Sequence, residues 1–355
     1  MNIAIVIPTI EAGGAEKQAV LLAQCLSEYH QVTFYVFFGN LPQEQKHLNT
    51  LAEAGVELVS LDGSTWSKTL QLTERMKEKK TEVAFNYLTM CDGAGCLAEK
   101  RAGVKYIYNG IRSSRLQGWK ERIERFCHNH WTTATICNSF CATEYFGARG
   151  FDKDKLMVIQ NCFPVIDPYF ERTDIGAATV ITVGRFDPVK DYETSIRAVA
   201  EAYKQCRDMH YVIGGHGVLE SDIRRWVNEY GIEEITKIHI NPLNIPELLR
   251  QADIFLTTSL YEGTSNAVME ALNASLPVVC TDVGDNRYLV KDGEGGFVHQ
   301  TGDVAGISAS IVKLLFDASL RARFGKSAND NLKENFSKEI FCKRYMDLLK
   351  MGEKR

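Results

Sequence analysis

Two glutamates separated by seven residues, Glu262 and Glu270, form the pattern with the clearest chemistry in the sequence. Glu262 lies in a loop after an apolar run at residues 254–257, and Glu270 lies one turn inside a predicted helix. Carboxylates at these two places could hold two separate sets of sugar hydroxyls. The first amides of the helix would favour an anion; they belong to Ser265, Asn266 and Ala267. A capping loop followed by an ordinary helical glutamate would give the same residues.

Two cations follow another apolar run, at residues 180–183. Arg185 and Lys190 belong to the loop after that run, and ligands of open α/β sheets bind at the carboxyl ends of strands. Arginine grips phosphate oxygens through a fork of N–H groups, and lysine adds a compact charge. The alternative is that both residues are solvated loop cations.

A glycine pair, Gly13-Gly14, follows the first apolar run at residues 3–7. Glycines at a strand-to-helix turn let the backbone approach a phosphate closely, next to the positive end of the helix dipole. A structural turn explains the pair equally well. The G-x-G-x-x-G fingerprint is absent from both halves of the chain, which argues against a nicotinamide-dependent oxidoreductase.

Short apolar runs alternate with helical stretches twice along the chain, which predicts two α/β units with doubly wound parallel sheets. Periodicity breaks between residues 163 and 178, so we expect domains at residues 1–165 and 178–337. The helical stretch after residue 337 has no strand partner. The predicted strands cover residues 3–7, 32–38, 56–61 and 83–88 in the first unit and residues 180–183, 210–213, 235–240, 254–257, 276–280 and 296–299 in the second.

The composition excludes several classes of protein. The chain has 355 residues and a formal net charge of −4, which argues against a dedicated nucleic-acid-binding protein. We find no basic leader and no apolar run near the roughly 18–20 residues that cross a bilayer, so a cytoplasmic location is expected, at most peripheral to the inner membrane face. The ten cysteines form no C-x-x-C pair, which predicts reduced, mostly buried thiols and no metal site, even at Cys127, His128 and His130.

One stretch departs from the acidic balance of the chain. Residues 100–125 carry eight basic and two acidic residues, a local net charge of +6. If the end of this stretch is helical, Trp119, Ile123 and Phe126 share one face. Flanking cations would then suit that face to the headgroup layer of an anionic membrane; they are Lys120, Arg122 and Arg125. The alternative is that the three apolar residues pack into the core.

Several of these motifs resemble, in order and spacing, those of family 4 glycosyltransferases. The seven-residue spacing of Glu262 and Glu270 is similar to the E-x7-E motif of that family, and Arg185 with Lys190 is similar to its phosphate-binding loop. The resemblance covers nearly the whole chain. Further similar segments lie at residues 13–16, 138–139, 214–217, 277–279 and 290–298, together with Gly284.

The resemblance implies a GT-B fold, with two Rossmann-like domains facing a central cleft and a last helix, residues 338–355, that crosses back to the first domain. It implies a retaining transferase of the hexosyltransferase type that uses a nucleotide sugar, most commonly a UDP-sugar, without a metal or other cofactor. Arg185 and Lys190 would hold the leaving diphosphate and, with Glu262 facing the transferred sugar, form the catalytic set. Glu270 would bind the ribose hydroxyls. The remaining donor contacts would come from Gly14, Gly263, Ser265, Asn266 and Ala267.

One departure from the family pattern bears on the acceptor. Many relatives carry a histidine in the segment that here contains Asn109 and Arg112, so these two residues are the acceptor-side candidates. An arginine is always protonated and cannot act as a base. The resemblance implies a saccharide or polyprenyl-linked acceptor in bacterial surface-glycan synthesis. A GT-B sugar-nucleotide epimerase or phosphorylase, and a two-lobed binding protein without activity, remain alternatives.

Overall fold

The computed structural model describes residues 1–11, 13–113, 115–116, 118–172 and 176–353. The chain forms two compact units, each of the α/β class that the alternating runs predict. Unit 1 comprises Met1–Pro164 and Lys338–Arg355, and unit 2 comprises Val165–Ser337. All the strand pairs within each unit are parallel, so the carboxyl ends of the strands meet at one edge of each sheet.

Unit 1 is built on a seven-stranded sheet in the order β3-β2-β1-β4-β5-β6-β7. Its strands are β1 (Asn2–Ile7), β2 (Gln31–Val36), β3 (Glu57–Ser60), β4 (Val83–Tyr87), β5 (Tyr106–Ile111), β6 (Ala134–Cys137) and β7 (Leu156–Val158). Its helices are α1 (Gly14–Ser27), α2 (Gln45–Glu53), α3 (Thr65–Glu78), α4 (Thr89–Ala102), α5 (Gly118–His130), α6 (Phe140–Gly147) and α14 (Lys338–Glu353).

The last helix, α14, completes the core of unit 1. Its apolar residues Phe341, Tyr345 and Leu348 are buried in the same cluster as residues of β1 and α1. Cys342 also forms a disulfide with Cys25 of α1, and the two Cα atoms lie 5.6 Å apart, within the usual range for such a bond. The prediction that all the thiols are reduced is therefore wrong at this pair, because two helices far apart in the sequence pack side by side.

Unit 2 is built on a six-stranded sheet in the order β10-β9-β8-β11-β12-β13. Its strands are β8 (Ala178–Val183), β9 (Met209–Gly215), β10 (Thr236–Ile240), β11 (Ile254–Thr257), β12 (Val278–Thr281) and β13 (Gly296–His299). Its helices are α7 (Tyr192–Gln205), α8 (Glu220–Glu229), α9 (Ile245–Arg250), α10 (Asn266–Asn273), α11 (Asn286–Val290), α12 (Val304–Phe316) and α13 (Ala318–Phe336).

Each sheet reverses its strand order once, between β1 and β4 in unit 1 and between β8 and β11 in unit 2. In doubly wound sheets the loops on either side of such a switch point diverge and leave a crevice at the carboxyl edge. The order thus brings together the loops after β8 and β11, which carry the charged residues that the sequence singled out. In the described part of the chain, no helix combines the length and apolarity needed to cross a bilayer.

Candidate active site

The loop after β8 is shaped to present Lys190. A short 3-10 turn, Pro188–Lys190, follows the strand, and the Asp187 carboxylate accepts from the Val189 amide at 3.0 Å. Asp191 then adopts a φ of 47° and caps α7 by accepting from the Thr194 amide at 3.4 Å. Local side-chain caps at both ends of the turn therefore fix the position of Lys190.

Lys190 and Glu262, which the sequence placed in one site, contact each other directly. The Lys190 Nζ atom lies 2.5 Å from Glu262 Oε1, and their side chains are only 18% and 14% exposed. The same carboxylate oxygen accepts from the Ser259 hydroxyl at 2.8 Å. An ammonium group has three N–H donors, so pairing with Glu262 leaves donors of Lys190 for a further anion.

Glycines allow the neighbouring loops to approach these residues. A Cβ atom at Gly215 would overlap the carbonyl oxygen of Gly184, in the loop that follows β8. At Gly284, where φ is 57°, a Cβ would overlap the carbonyl oxygen of Gly263. The glycine-rich segments that resembled family motifs thus pack the backbone of two loops against the loops that carry Arg185 and Glu262.

Arg185 lies in the same loop as Lys190, and α10 follows the loop that carries Glu262. Arg185 is 77% exposed and its Nη2 atom lies 3.3 Å from Asp187 Oδ2. Helix α10 begins after Ser265, whose side chain makes no capping hydrogen bond. The first-turn amides therefore remain suited to an anion. The other predicted donor residues lie in this loop and helix, with Gly263 half-buried, Asn266 exposed, and Ala267 and Glu270 half-buried.

The predicted residues of unit 1 have different surroundings. Gly14 is exposed at the first position of α1, after Gly13. The Arg112 guanidinium stacks over the ring of Tyr87 at 4.5 Å and donates to Tyr345 Oη at 3.0 Å. Burial acts to lower the pKa of Arg112, but the two tyrosines outweigh it and raise that pKa. The Nε and Nη1 atoms are buried without a hydrogen-bond partner among the residues described.

Asn109, an acceptor-side candidate, lies in a buried polar network and not on the surface. Asn86 donates to Glu99 at 3.0 Å and to Asn109 at 3.1 Å, and Asn109 donates to Glu124 at 3.5 Å. Asn109 is completely buried, which argues against direct contact with an acceptor. The network also contains Asp92, and no basic side chain within the described ranges pairs with any of its three acids.

Burial raises the pKa of all three carboxyl groups in this network. The pKa of Glu99 rises to about 8, and the pKa of Asp92, which is buried near Glu124, rises well above its ordinary value. The pKa of Glu124 is also raised. Because a buried carboxylate without a cation is strongly disfavoured, the network holds protons at neutral pH.

Helix α5 presents an apolar face to solvent. Trp119, Ile123 and Phe126 are 55%, 39% and 51% exposed, which confirms that the three residues share a face and excludes the alternative that they pack in the core. The residues that α5 buries are Glu124, Cys127 and His128. This arrangement is the reverse of an ordinary surface helix, which buries its apolar side.

Sequence reasoning missed several residues of these sites. Thr258 and Ser259 lie directly before the Glu262 motif, and their hydroxyls were not singled out. The acids Asp92 and Glu99 lie in α4 and were not considered. The predicted strands did not include β5 and β6. Both are rich in β-branched and aromatic residues, and this composition is the signal that could have revealed them.

The comparisons with known proteins agree with this architecture. Residues 169–331 match the family described as glycosyl transferases group 1. The chain is a glycosyltransferase. This transferase is 23% identical over 323 residues to the lipopolysaccharide core biosynthesis glycosyltransferase LpsE of Rhizobium meliloti (strain 1021), an alignment that covers 85% of the chain and 93% of LpsE.

A second relative is similar over almost the full length of this transferase. It is 23% identical over 348 residues, 94% of each chain, and is the GalNAc-alpha-(1->4)-GalNAc-alpha-(1->3)-diNAcBac-PP-undecaprenol alpha-1,4-N-acetyl-D-galactosaminyltransferase of Campylobacter jejuni. Among solved structures, Anabaena Alr3699/HepE in complex with UDP gives a TM-score of 0.83 at 16% identity, covering 99% of this chain and 100% of that one. The GT-B fold expected from the sequence is confirmed.

Proposed function

We propose that this transferase moves a sugar from a UDP-sugar to a lipid-linked saccharide in the synthesis of a bacterial surface glycan, with retention of anomeric configuration. The observation that carries the proposal is the contact of Lys190 with Glu262 at the switch point of unit 2, with Arg185 in the same loop as Lys190. The UDP bound to the Anabaena structure and the names of the two relatives support the donor and acceptor classes.

The charges at the switch point suit the departure of a nucleoside diphosphate. When the bond to the anomeric carbon breaks, negative charge accumulates on the leaving phosphate. In this proposal, Lys190, Arg185 and the first amides of α10 stabilise that charge. Glu262 holds Lys190 in position and, as the resemblance implies, faces the sugar, while Glu270 binds the ribose hydroxyls.

Retention follows if the acceptor attacks from the face that the phosphate leaves. The acceptor oxygen forms its bond to the anomeric carbon as the carbon–phosphate oxygen bond breaks, and the leaving phosphate takes the acceptor proton. The nucleophile is then the acceptor itself, and no enzyme carboxylate needs to form a covalent intermediate.

The experiment that tests the donor and stereochemistry is a transfer assay with a panel of UDP- and GDP-sugars and a polyprenyl-linked acceptor. We expect UDP release that depends on the acceptor, and a product whose anomeric coupling in NMR matches that of the donor. Release of GDP from GDP-sugars alone would contradict the donor, and an inverted product would contradict the mechanism.

The exposed face of α5 supports an acceptor held at a membrane. Burying Trp119, Ile123 and Phe126 in the headgroup layer would remove three large apolar side chains from water. Lys120, whose Nζ lies 5.7 Å from the Trp119 ring, flanks this face together with Arg122, and both are suited to anionic lipid headgroups. We therefore propose that unit 1 binds an anionic membrane surface through α5.

A further inference from the structure

Two adjacent hydroxyl residues connect the loops that carry Lys190 and Glu262. Thr258 and Ser259 follow β11 directly, and both are buried. The Thr258 hydroxyl lies 2.7 Å from the carbonyl oxygen of Asp191 and 3.3 Å from that of Lys190. Ser259 donates to Glu262, as described above, and its own carbonyl accepts from the Thr281 hydroxyl at 2.7 Å.

We propose that Thr258 and Ser259 are positioning residues of the donor site, which act through Lys190 and Glu262 without touching the donor. This inference rests on the proposed function, since it assumes that Lys190 contacts the donor diphosphate. Thr258 holds the backbone around Lys190, and Ser259 holds the Lys190 ammonium group through Glu262.

The backbone end of this arrangement depends on Thr258. Asp191 has a φ of 47°, a conformation that residues other than glycine rarely adopt without support. The Thr258 hydroxyl binds the carbonyl of that residue, and the Leu260 amide donates to the Val189 carbonyl at 2.8 Å. The turn that presents Lys190 is thereby tied to the loop that follows β11.

The ammonium end of the arrangement depends on Ser259. A carboxylate that accepts from both a buried hydroxyl and an ammonium has its orientation fixed by two partners. The Thr281 hydroxyl in turn fixes the Ser259 backbone to β12. The Lys190 side chain is therefore oriented by a chain of hydrogen bonds that begins on β12, a strand with neighbours on both sides.

The test compares variants that remove a hydroxyl with a matched control. Thr258→Val keeps the shape of the side chain, Thr258→Ser keeps the hydroxyl, and Ser259→Ala removes the second hydroxyl. The control is Ser195→Ala in α7, because Ser195 is also completely buried and its hydroxyl contacts Tyr192 and Tyr211 instead of the donor loops. UDP binding is measured by calorimetry, transfer by steady-state kinetics, and folding by thermal denaturation.

We expect Thr258→Val and Ser259→Ala each to weaken UDP binding about fivefold to tenfold, the usual effect of one lost hydrogen bond, and to lower kcat. Thr258→Ser and Ser195→Ala should stay within about twofold of the wild type in both quantities. In a Lys190→Ala background, Thr258→Val should change UDP affinity by less than about twofold, because its effect passes through Lys190.

Two results would overturn the inference. One is a lower melting temperature of Thr258→Val and Ser259→Ala with unchanged UDP affinity and kcat, which is the effect of a purely structural role. The other is an equal loss of affinity with and without Lys190. A wild-type protein that neither binds UDP nor transfers sugar would instead reject the proposed function, and this inference with it.

Discussion

The two units share the order of their first six strands and the position of the switch point, yet they differ in where their acidic side chains lie and in what pairs with them. At the switch point of unit 2, the acid Glu262 is paired with the cation Lys190, and both lie at the edge of the sheet. In unit 1, the acids Asp92, Glu99 and Glu124 lie inside the molecule, and no cation among the described residues pairs with them. The exposed face of α5 in the same unit carries the apolar side chains of Trp119, Ile123 and Phe126.

This difference shows that the doubly wound sheet provides the place for a site and that the loops and helices decide its chemistry. The edge of unit 2 is suited to a diphosphate, whose charge builds up during the reaction. The exposed helix of unit 1 is suited to an apolar and anionic surface. Under the proposed function, unit 2 binds the donor and unit 1 the acceptor.

The largest expected effect is at the paired cation of unit 2. Lys190→Ala should lower kcat by about 100- to 1000-fold, because it removes charge stabilisation that grows in the transition state. Arg185→Ala should cost about tenfold, since an exposed guanidinium is screened by solvent. Steady-state transfer assays measure both, with Lys204→Ala, an exposed ion-paired lysine in α7, as the control. Near wild-type kcat in Lys190→Ala would contradict the assignment of this site.

The next effect tests the exposed helix of unit 1. Changing Lys120, Arg122 and Arg125 together to glutamate should weaken binding to anionic liposomes by at least about 100-fold, at about 1 kcal/mol for each basic residue. Sedimentation at low and high salt measures it, and salt should weaken the wild-type binding.

The matched control for this experiment carries the same change of charge elsewhere in unit 1, on the exposed residues Lys46, Lys77 and Lys80. It should retain most of the binding. Equal partition of the wild type into neutral and anionic liposomes, or efficient transfer to a soluble saccharide without lipid, would instead favour a soluble acceptor.

A smaller effect tests the buried acids. The pKa of Glu99 is about 8 in the folded protein and near 4.5 when exposed, so the folded state binds more protons between these values. Its contribution to stability is complete below about pH 4.5 and is lost as the pH rises through 8, by up to about 1.4 kcal/mol per pH unit. The raised pKa of Asp92 acts in the same direction.

Urea denaturation between pH 6 and pH 9 measures this dependence. The free energy of unfolding of unit 1 should fall with pH in the wild type and fall less steeply in Glu99→Gln. The exposed Glu78→Gln in α3 is the control and should keep the wild-type slope. A wild-type stability that rises over this range would show that the acids are ionised in the folded state.

The smallest effect is an expected lack of change on chelation. If Lys190, Arg185 and the amides of α10 stabilise the leaving diphosphate, EDTA should leave kcat within about twofold of its value in magnesium. Complete loss of transfer in EDTA, with recovery on adding magnesium or manganese, would show that the cations of unit 2 are insufficient.

The sequence predicts where the charged loop residues of unit 2 lie better than it predicts the surroundings of Asn109 and Arg112 in unit 1, for a physical reason. Residues such as Glu262 and Arg185 follow short buried strands, and parallel sheets bring such loop residues to one edge. The burial of Asn109 and Glu124 depends on how α4 and α5 pack on the sheet, which local periodicity does not encode. Leu88, at the start of α4, has a φ of 70° although it is not a glycine, and the sequence gives no sign of it.

Helix α14 has a consequence for how the protein is made. The ribosome releases residues 1–164, then all of unit 2, and only then the helix that supplies Phe341, Tyr345 and Leu349 to the first core. Unit 2 is continuous in the chain. It can finish folding while unit 1 still lacks helix α14 and the core residues of that helix. Unit 2 can therefore mature before unit 1, the reverse of the usual N-terminal-first sequence, because the core of unit 1 is incomplete until α14 has left the ribosome.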